Sequence, residues 1–281
     1  MIEFGTYTSN ITIGNFTFVN EGLNDSYIAK YTDGGDVVWA THIAGSDEDI
    51  ITTVTEDPSG NVYVAGFYTS NPLNVYSSDG SLYGTLKNDN HEDAFVIKYN
   101  SDGFVQWISR MCGDADRDYK IIVTIGSFDN IYIAGRCLSS PFTVFNADGS
   151  TYTAYSGIGE TYLINCSASG GVLWISRVNG TVSNVDSNIW VTGTGSGVAY
   201  NRDGSFGKLL SNNYTFQYDP YGFVYRDPVV EPSVTIEPVV TETTTETPVV
   251  TETTTETPVV AETPVVAETT AETPVVTETV E

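Results

Sequence analysis

The chain has 281 residues and a formal net charge of −25, with 36 acidic against 11 basic side chains. The last basic residue is Arg226; Asp227 and the eleven Glu beyond it carry −12 of the total, which leaves −13 on the preceding part. Neither part attracts phosphate, so nucleic acid and anionic membrane surfaces are excluded as partner classes, while cationic partners and metal ions stay open. Taken in chain order, Met1 to Gly5 opens the sequence with no basic n-region and no apolar run, so export by the usual route is not expected. No stretch approaches the roughly 20 apolar residues of a membrane span, and no membrane insertion is expected.

From there three short patterns recur in a fixed order, which decides the architecture before any local reading. The first is Ser26-Tyr27-Ile28-Ala29-Lys30-Tyr31 running on to Trp39. It returns as Ala94 to Tyr99 with Trp107, then as Thr161 to Cys166 with Trp174. A last copy, Tyr214 to Tyr218 with Gly222 to Tyr225, has Arg226 in place of the Trp. The second pattern is Asn61-Val62-Tyr63-Val64-Ala65-Gly66, repeated at Asn130 to Gly135 and Asn188 to Gly193, with Met1 to Gly5 as its earliest version. The third, Tyr76-Ser77-Ser78-Asp79-Gly80-Ser81, returns at Phe145 to Ser150 and Tyr200 to Ser205. Ile50 to Val54 and Ile121 to Ile125 are short, β-branched and apolar on both faces, as strands buried on both sides are. Turn chemistry divides the strands at Asp33-Gly34-Gly35, Asp57-Pro58-Ser59-Gly60, Ser101-Asp102-Gly103 and Ser169-Gly170-Gly171, where glycine supplies the positive φ of tight hairpins. Each unit thus holds four strands and an extra hairpin with an Asp-Gly-Ser turn. From Trp174 to Asn188 the step is only 14 residues, against 22 and 23 in the earlier copies, so the final repeat is read as having lost most of one strand.

The fold class expected is all-β: a β-propeller-like array of about four four-stranded blades, closed or open, followed by a disordered C-terminal tail. Blades fall at approximately 1–45, 46–112, 113–178 and 179–226, and the tail at 227–281. The order Asn-Val-Tyr-Val-Ala-Gly, Ala-Phe-Val-Ile-Lys-Tyr, Ser-Asp-Gly, Trp resembles the seven-bladed β-propeller repeat (SBBP) family, with Ile50 to Met111 and Tyr119 to Val178 carrying it best. That resemblance implies blades around a central channel, a surface-exposed or extracellular setting, and no single activity. End blades of an open arc would leave apolar faces wet, so a four-repeat monomer, a homo-oligomer completing the propeller and a degenerate remnant of a larger protein all stand as readings. Beyond Pro238 the repeat Pro-Val-Val-Thr-Glu-Thr, with proline every six or ten residues, opposes helix and sheet alike and reads as an extended spacer.

Chemistry-bearing residues are sparse. Asp114, Asp116 and Asp118 alternate as calcium-loop carboxylates do, but the turn glycine and the distal Glu are missing, so a solvated loop competes with a calcium site and no other cofactor is expected. Cys112, Cys137 and Cys166 lie in strand-like runs at no metal-ligand spacing and read as small core residues, or as one disulfide plus a free thiol. Of the two histidines, His42 sits in the strand after Trp39 and His91 in a polar loop; no catalytic residue is assigned. Trp39, Trp107 and Trp174 read as inter-blade core rather than as a sugar platform. Six sequons permit N-glycans only along a secretory route, and the compartment stays open. The expectation is a non-catalytic binding or scaffold module for a protein or glycan ligand, with a carbohydrate-active enzyme as the alternative.

Overall fold

The computed structural model describes residues 1–88, 92–113, 119–126, 130–137, 142–155, 160–185, 190–200, 202, 206–210, 213–218, 222 and 224, all within the unit Met1–Val230. The expected tail, His91 and the calcium candidates Asp114, Asp116 and Asp118 lie outside the described residues. The described part is strand throughout. In chain order the strands are β1 (Ile2–Tyr7), β2 (Ile11–Ile13), β3 (Phe16–Phe18), β4 (Asp25–Tyr31) and β5 (Val37–Ala44). Next come β6 (Asp49–Glu56), β7 (Val62–Tyr68), β8 (Leu73–Tyr76), β9 (Leu82–Leu86), β10 (Asp93–Tyr99) and β11 (Val105–Gly113). The third copy supplies β12 (Tyr119–Ile125), β13 (Ile131–Cys137), β14 (Phe142–Phe145), β15 (Thr151–Tyr155), β16 (Glu160–Cys166) and β17 (Val172–Val185). The last described strands are β18 (Trp190–Tyr200), β19 (Phe206–Leu210) and β20 (Asn213–Gln217).

These strands form three larger antiparallel sheets in a propeller-like array. Their orders are β1-β4-β5-β8-β9, then β6-β7-β10-β11-β14-β15, then β12-β13-β16-β17-β18-β19 with β20 beside β18. The four-stranded unit read from the sequence is β6-β7-β10-β11. Its Asp-Gly-Ser hairpin, however, does not stay with it. β8 and β9, which lie in sequence between β7 and β10, extend the preceding sheet by pairing Val75 with Ile43 and Asn74 with Ala44. The next hairpin repeats the step, with Val144 opposite Met111 and Thr143 opposite Cys112. Each hairpin therefore reaches back across the boundary between sheets.

At the other edge β6 packs against β1 and β4, and β12 against β6 and β7. Ser26 Oγ donates to the Asp49 carbonyl at 2.7 Å and accepts from Ile51 N at 3.1 Å, while Thr52 Oγ1 donates to the Ile121 carbonyl at 2.9 Å. Thr52 is the extra residue of a bulge between Ile51 and Thr53, and the same irregularity interrupts β12 after Tyr119. The ladders place Val54 opposite Val64 and Val123 opposite Ile133, which aligns Ile50 of β6 with Tyr119 of β12, where the two copies are read to begin.

The repeated tryptophans fill the space between consecutive sheets. Trp39, Trp107 and Trp174 are all buried, and each reaches forward. Trp39 stacks on Tyr99 of the next sheet with centroids 6.2 Å apart, and Trp174 meets Tyr218 at 6.0 Å. The indole N–H of Trp39 donates to the Ser101 carbonyl at 2.9 Å and that of Trp107 to the Ala168 carbonyl at 3.0 Å. Under each indole lies the turn glycine of the next copy, at φ +82° for Gly103, +81° for Gly170 and +84° for Gly222. A buried indole of this kind contributes about 3 kcal/mol or more, which makes this column the main adhesive between sheets.

The shortened last copy has not lost a strand. β17 runs 14 residues; its first part pairs with β16, and its second part pairs along β18 from Ala199 to Val191 through two shifts of register. β18 is likewise one long strand, pairing at its start with β20 and at its end with β19. What the shortening removed is the corner between sheets, and the third sheet passes directly into the next.

Candidate functional site

The hairpin exchange leaves a surface groove wherever a turn from one copy overhangs the third strand of the preceding one. Two such grooves occur at equivalent places. The first, of about 590 Å³, lies between β3, His42 on β5 and the turn Tyr76 to Gly80. The second, of about 350 Å³, lies between β9, Ile108 to Arg110 on β11 and the turn Phe145 to Gly149. Each turn is anchored to the next sheet, since Ser78 N donates to the Gly103 carbonyl at 2.9 Å and Ala147 N to the Gly170 carbonyl at 3.0 Å. The turn carboxylates Asp79 and Asp148 accept from Ser81 and Ser150, whose donors hold both below the usual carboxylate range.

The floor of each groove is set by the residue three beyond the repeated Trp, which is His42, then Arg110, then Arg177. In the second groove Arg110 Nη1 donates to the Lys87 carbonyl at 2.7 Å, an oxygen that also accepts from Tyr68 Oη at 2.6 Å. Its guanidinium lies 4.6 Å from the Phe145 ring centroid, and Nη1 is 3.8 Å from the buried Asp93 carboxylate. Carbonyl, ring and carboxylate together make a complete seat for a planar cation.

The first groove reproduces the seat without the cation. Tyr7 takes the place of Tyr68 and donates to the Val19 carbonyl, the counterpart of Lys87, at 3.5 Å. Asn20 Nδ2 reaches the Tyr7 carbonyl at 3.3 Å as Asn88 Nδ2 reaches that of Tyr68 at 3.0 Å, which confirms the equivalence. His42 is shorter than arginine, and its ring packs between Phe18 at 4.7 Å and Tyr76 at 4.4 Å. Burial holds His42 down to about 4, so the imidazole is neutral at ordinary pH. Burial also keeps the Tyr7 phenol protonated, and its oxygen shares a hydrogen bond with His42 Nδ1 at 2.7 Å. Glu21 stands at the wall, accepting from Tyr76 Oη at 2.7 Å and from Asn74 Nδ2 at 2.8 Å. No lysine or arginine lines this groove.

The other residues singled out in the sequence fall elsewhere. Asp49 is buried at the start of β6, where Ser70 Oγ donates to Oδ2 at 2.8 Å; burial pushes its pKa up to about 8. Asp25 is also raised by burial, against donors from Glu21 N and Gly45 N. Among the described residues no group of three or more His, Cys, Asp or Glu is placed to hold a metal ion. Cys112 and Cys166 are buried, and burial pushes the Cys166 thiol up to about 12, as inert core positions require. The three tryptophans are too deeply buried to stack on a sugar. Among the described residues no helix is long and apolar enough to cross a membrane. The groove itself was missed by sequence reading, although the column His42, Arg110, Arg177 was legible once the tryptophans were aligned.

No family model matches the chain. The chain is similar to an uncharacterized WD repeat-containing protein of Acanthamoeba polyphaga mimivirus, 26% identical over 188 residues. That match covers 57% of this chain and spans 13% of the viral protein's length. With the all-β sheets, it supports a β-propeller-type repeat.

Proposed function

We propose that this chain is a non-catalytic β-propeller repeat module of the SBBP type, which binds a protein or glycan ligand through its hairpin-rimmed grooves. The observation that carries the reading is the recurrence of one groove at equivalent positions of successive copies, with the same rim and a changed floor. Loops and turns on a rigid sheet scaffold are the ordinary place for such variation. The likeness to a WD repeat-containing protein agrees with a scaffold role. The catalytic alternative asks for two carboxylates, one of them raised to act as a general acid. Asp79, at the mouth of the first groove, is shifted the opposite way by its Ser81 donors. Self-association fits the same design: β2 and β3 correspond to the hairpins that cross between sheets, yet they form a two-stranded sheet of their own, and an edge strand from a second copy would complete it.

The test is to present the full chain to arrays of oligosaccharides and of peptides, and to assay the same oligosaccharides for cleavage. Binding without turnover is the expected result. Cleavage of a glycosidic bond would replace the proposal with the enzyme reading, and no binding to either class would leave the remnant reading in its place.

A further inference from the structure

We propose that the first groove is a receptor for a cationic side chain, and that its ligand is an arginine- or lysine-bearing peptide segment occupying the place Arg110 takes in the second copy. The inference rests on the binding-module reading and adds the chemical class of the ligand. It follows from comparing two copies of one device within a single chain. In the second groove the chain fills the seat with its own guanidinium, which meets the Lys87 carbonyl at 2.7 Å and lies over Phe145 at 4.6 Å. In the first groove Val19, whose carbonyl corresponds to that of Lys87 and receives Tyr7 Oη at 3.5 Å, lines the cavity. The corresponding ring, Tyr76, is present, with Phe16 and Phe18 beside it on the cavity wall. A carboxylate is present too, because Glu21 lines the cavity and is exposed. Two parts differ: the carboxylate on the wall is the exposed Glu21, since Asp25, the counterpart of Asp93, is buried, and His42 is the shorter side chain, in a cavity of about 590 Å³ where the filled one is about 350 Å³.

Electrostatics select among occupants. An anion would meet Glu21 and Asp79 with no basic side chain on the wall to compensate, in a chain whose formal charge is −25. A neutral sugar could stack on the aromatic wall but would leave Glu21 without a counter-charge. A guanidinium or ammonium satisfies ring, carbonyl and carboxylate together, as Arg110 already does. Binding should weaken with salt, since the pair at the rim is solvent-exposed.

The experiment titrates the full chain with a capped arginine peptide, the same peptide carrying glutamine instead, and a neutral oligosaccharide, followed by calorimetry and by chemical shifts of the His42 ring. Saturable binding of the arginine peptide is expected, with at least tenfold weaker binding of the glutamine peptide. Glu21→Gln, an exposed change that keeps the Tyr76 hydrogen bond, should weaken the arginine peptide about tenfold. His42→Arg should abolish binding by filling the seat in cis. Oligosaccharide binding in this groove without peptide binding would overturn the ligand class while leaving the module reading standing. Absence of both would remove the two together. Peptide binding unaffected by Glu21→Gln would place the site elsewhere and refute the proposal even if His42→Arg failed to fold.

Discussion

Replacing Gly103 by alanine probes the contact that joins the first sheet to the second. Gly103 sits at φ +82°, and a Cβ built there would come within 2.7 Å of Trp39 Cδ2 and 2.8 Å of the Ser78 Cβ. Two costs combine. Forcing an alanine into the left-handed region costs about 1–2 kcal/mol. Pushing a fused ring out of a packed site adds about 1–3 kcal/mol. Gly80 separates them, because it has φ +81° in a similar turn but nothing within 4 Å of its Cβ. Gly80→Ala should therefore cost about 1 kcal/mol and Gly103→Ala about 3 kcal/mol. For a domain of this size that is a fall in Tm of about 2–4 °C against about 6–12 °C. Thermal unfolding followed by tryptophan fluorescence reads both, and a blue-shifted emission for wild type that reddens in Gly103→Ala would report the displaced indole. If the two variants melt within about 2 °C of each other, the turn does not bear on Trp39 and the account of inter-sheet packing is wrong.

Other perturbations address the polar interior. Asp49 has its pKa raised to about 8 by burial, so its contribution to stability is complete below about pH 4 and is lost as pH rises through 8; Asp49→Asn should remove roughly 2–5 kcal/mol of that slope, read from denaturant midpoints at pH 5 and pH 8.5. His42 works in the reverse sense. Its folded value of about 4 lies below the ordinary one, so its contribution is present above about pH 6.5 and is lost as pH falls toward 4. Ring resonances of His42 should accordingly stay unchanged from pH 8 to pH 5, and a midpoint near 6.5 would contradict its burial. Ser26→Ala leaves Ile51 N without its acceptor between the first two sheets and should cost about 1–3 kcal/mol in urea unfolding, whereas Thr12→Ala on an exposed strand should cost less than about 0.5 kcal/mol.

The tryptophans, the Asn-x-Tyr strands and the turn glycines were legible because every copy makes the same contact with its neighbour, and a repeated contact keeps a repeated residue. The route of the hairpins was not. β8 pairs with β5, some thirty residues earlier, through backbone groups that every residue carries, and Leu73 to Tyr76 alternates as it would in any sheet. β2 and β3 escaped notice because Gly14-Asn15 replaces the Asp-Gly-Ser turn and each strand has three residues. The shortened last copy misled for another reason: a missing corner and a missing strand shorten a sequence alike, and the single long strand β17 tells them apart. The groove lay beyond window-based reading, since its parts come from three separate segments. Only comparison across copies at one column, from His42 to Arg110, exposes what was exchanged.

Because β8-β9 and β14-β15 each complete the sheet made before them, neither of those sheets reaches its final width until the following copy has been translated. A nascent β5 or β11 emerges with an open edge and waits through about thirty further residues for the segment that covers it, an interval of seconds at ordinary elongation rates. Once in place, the same exchange ties neighbours into one cooperative block, so that loosening one copy strips a strand pair from the other. Arrays whose repeats merely touch can fray from an end one unit at a time; in this one, peeling away a unit uncovers its neighbour as well.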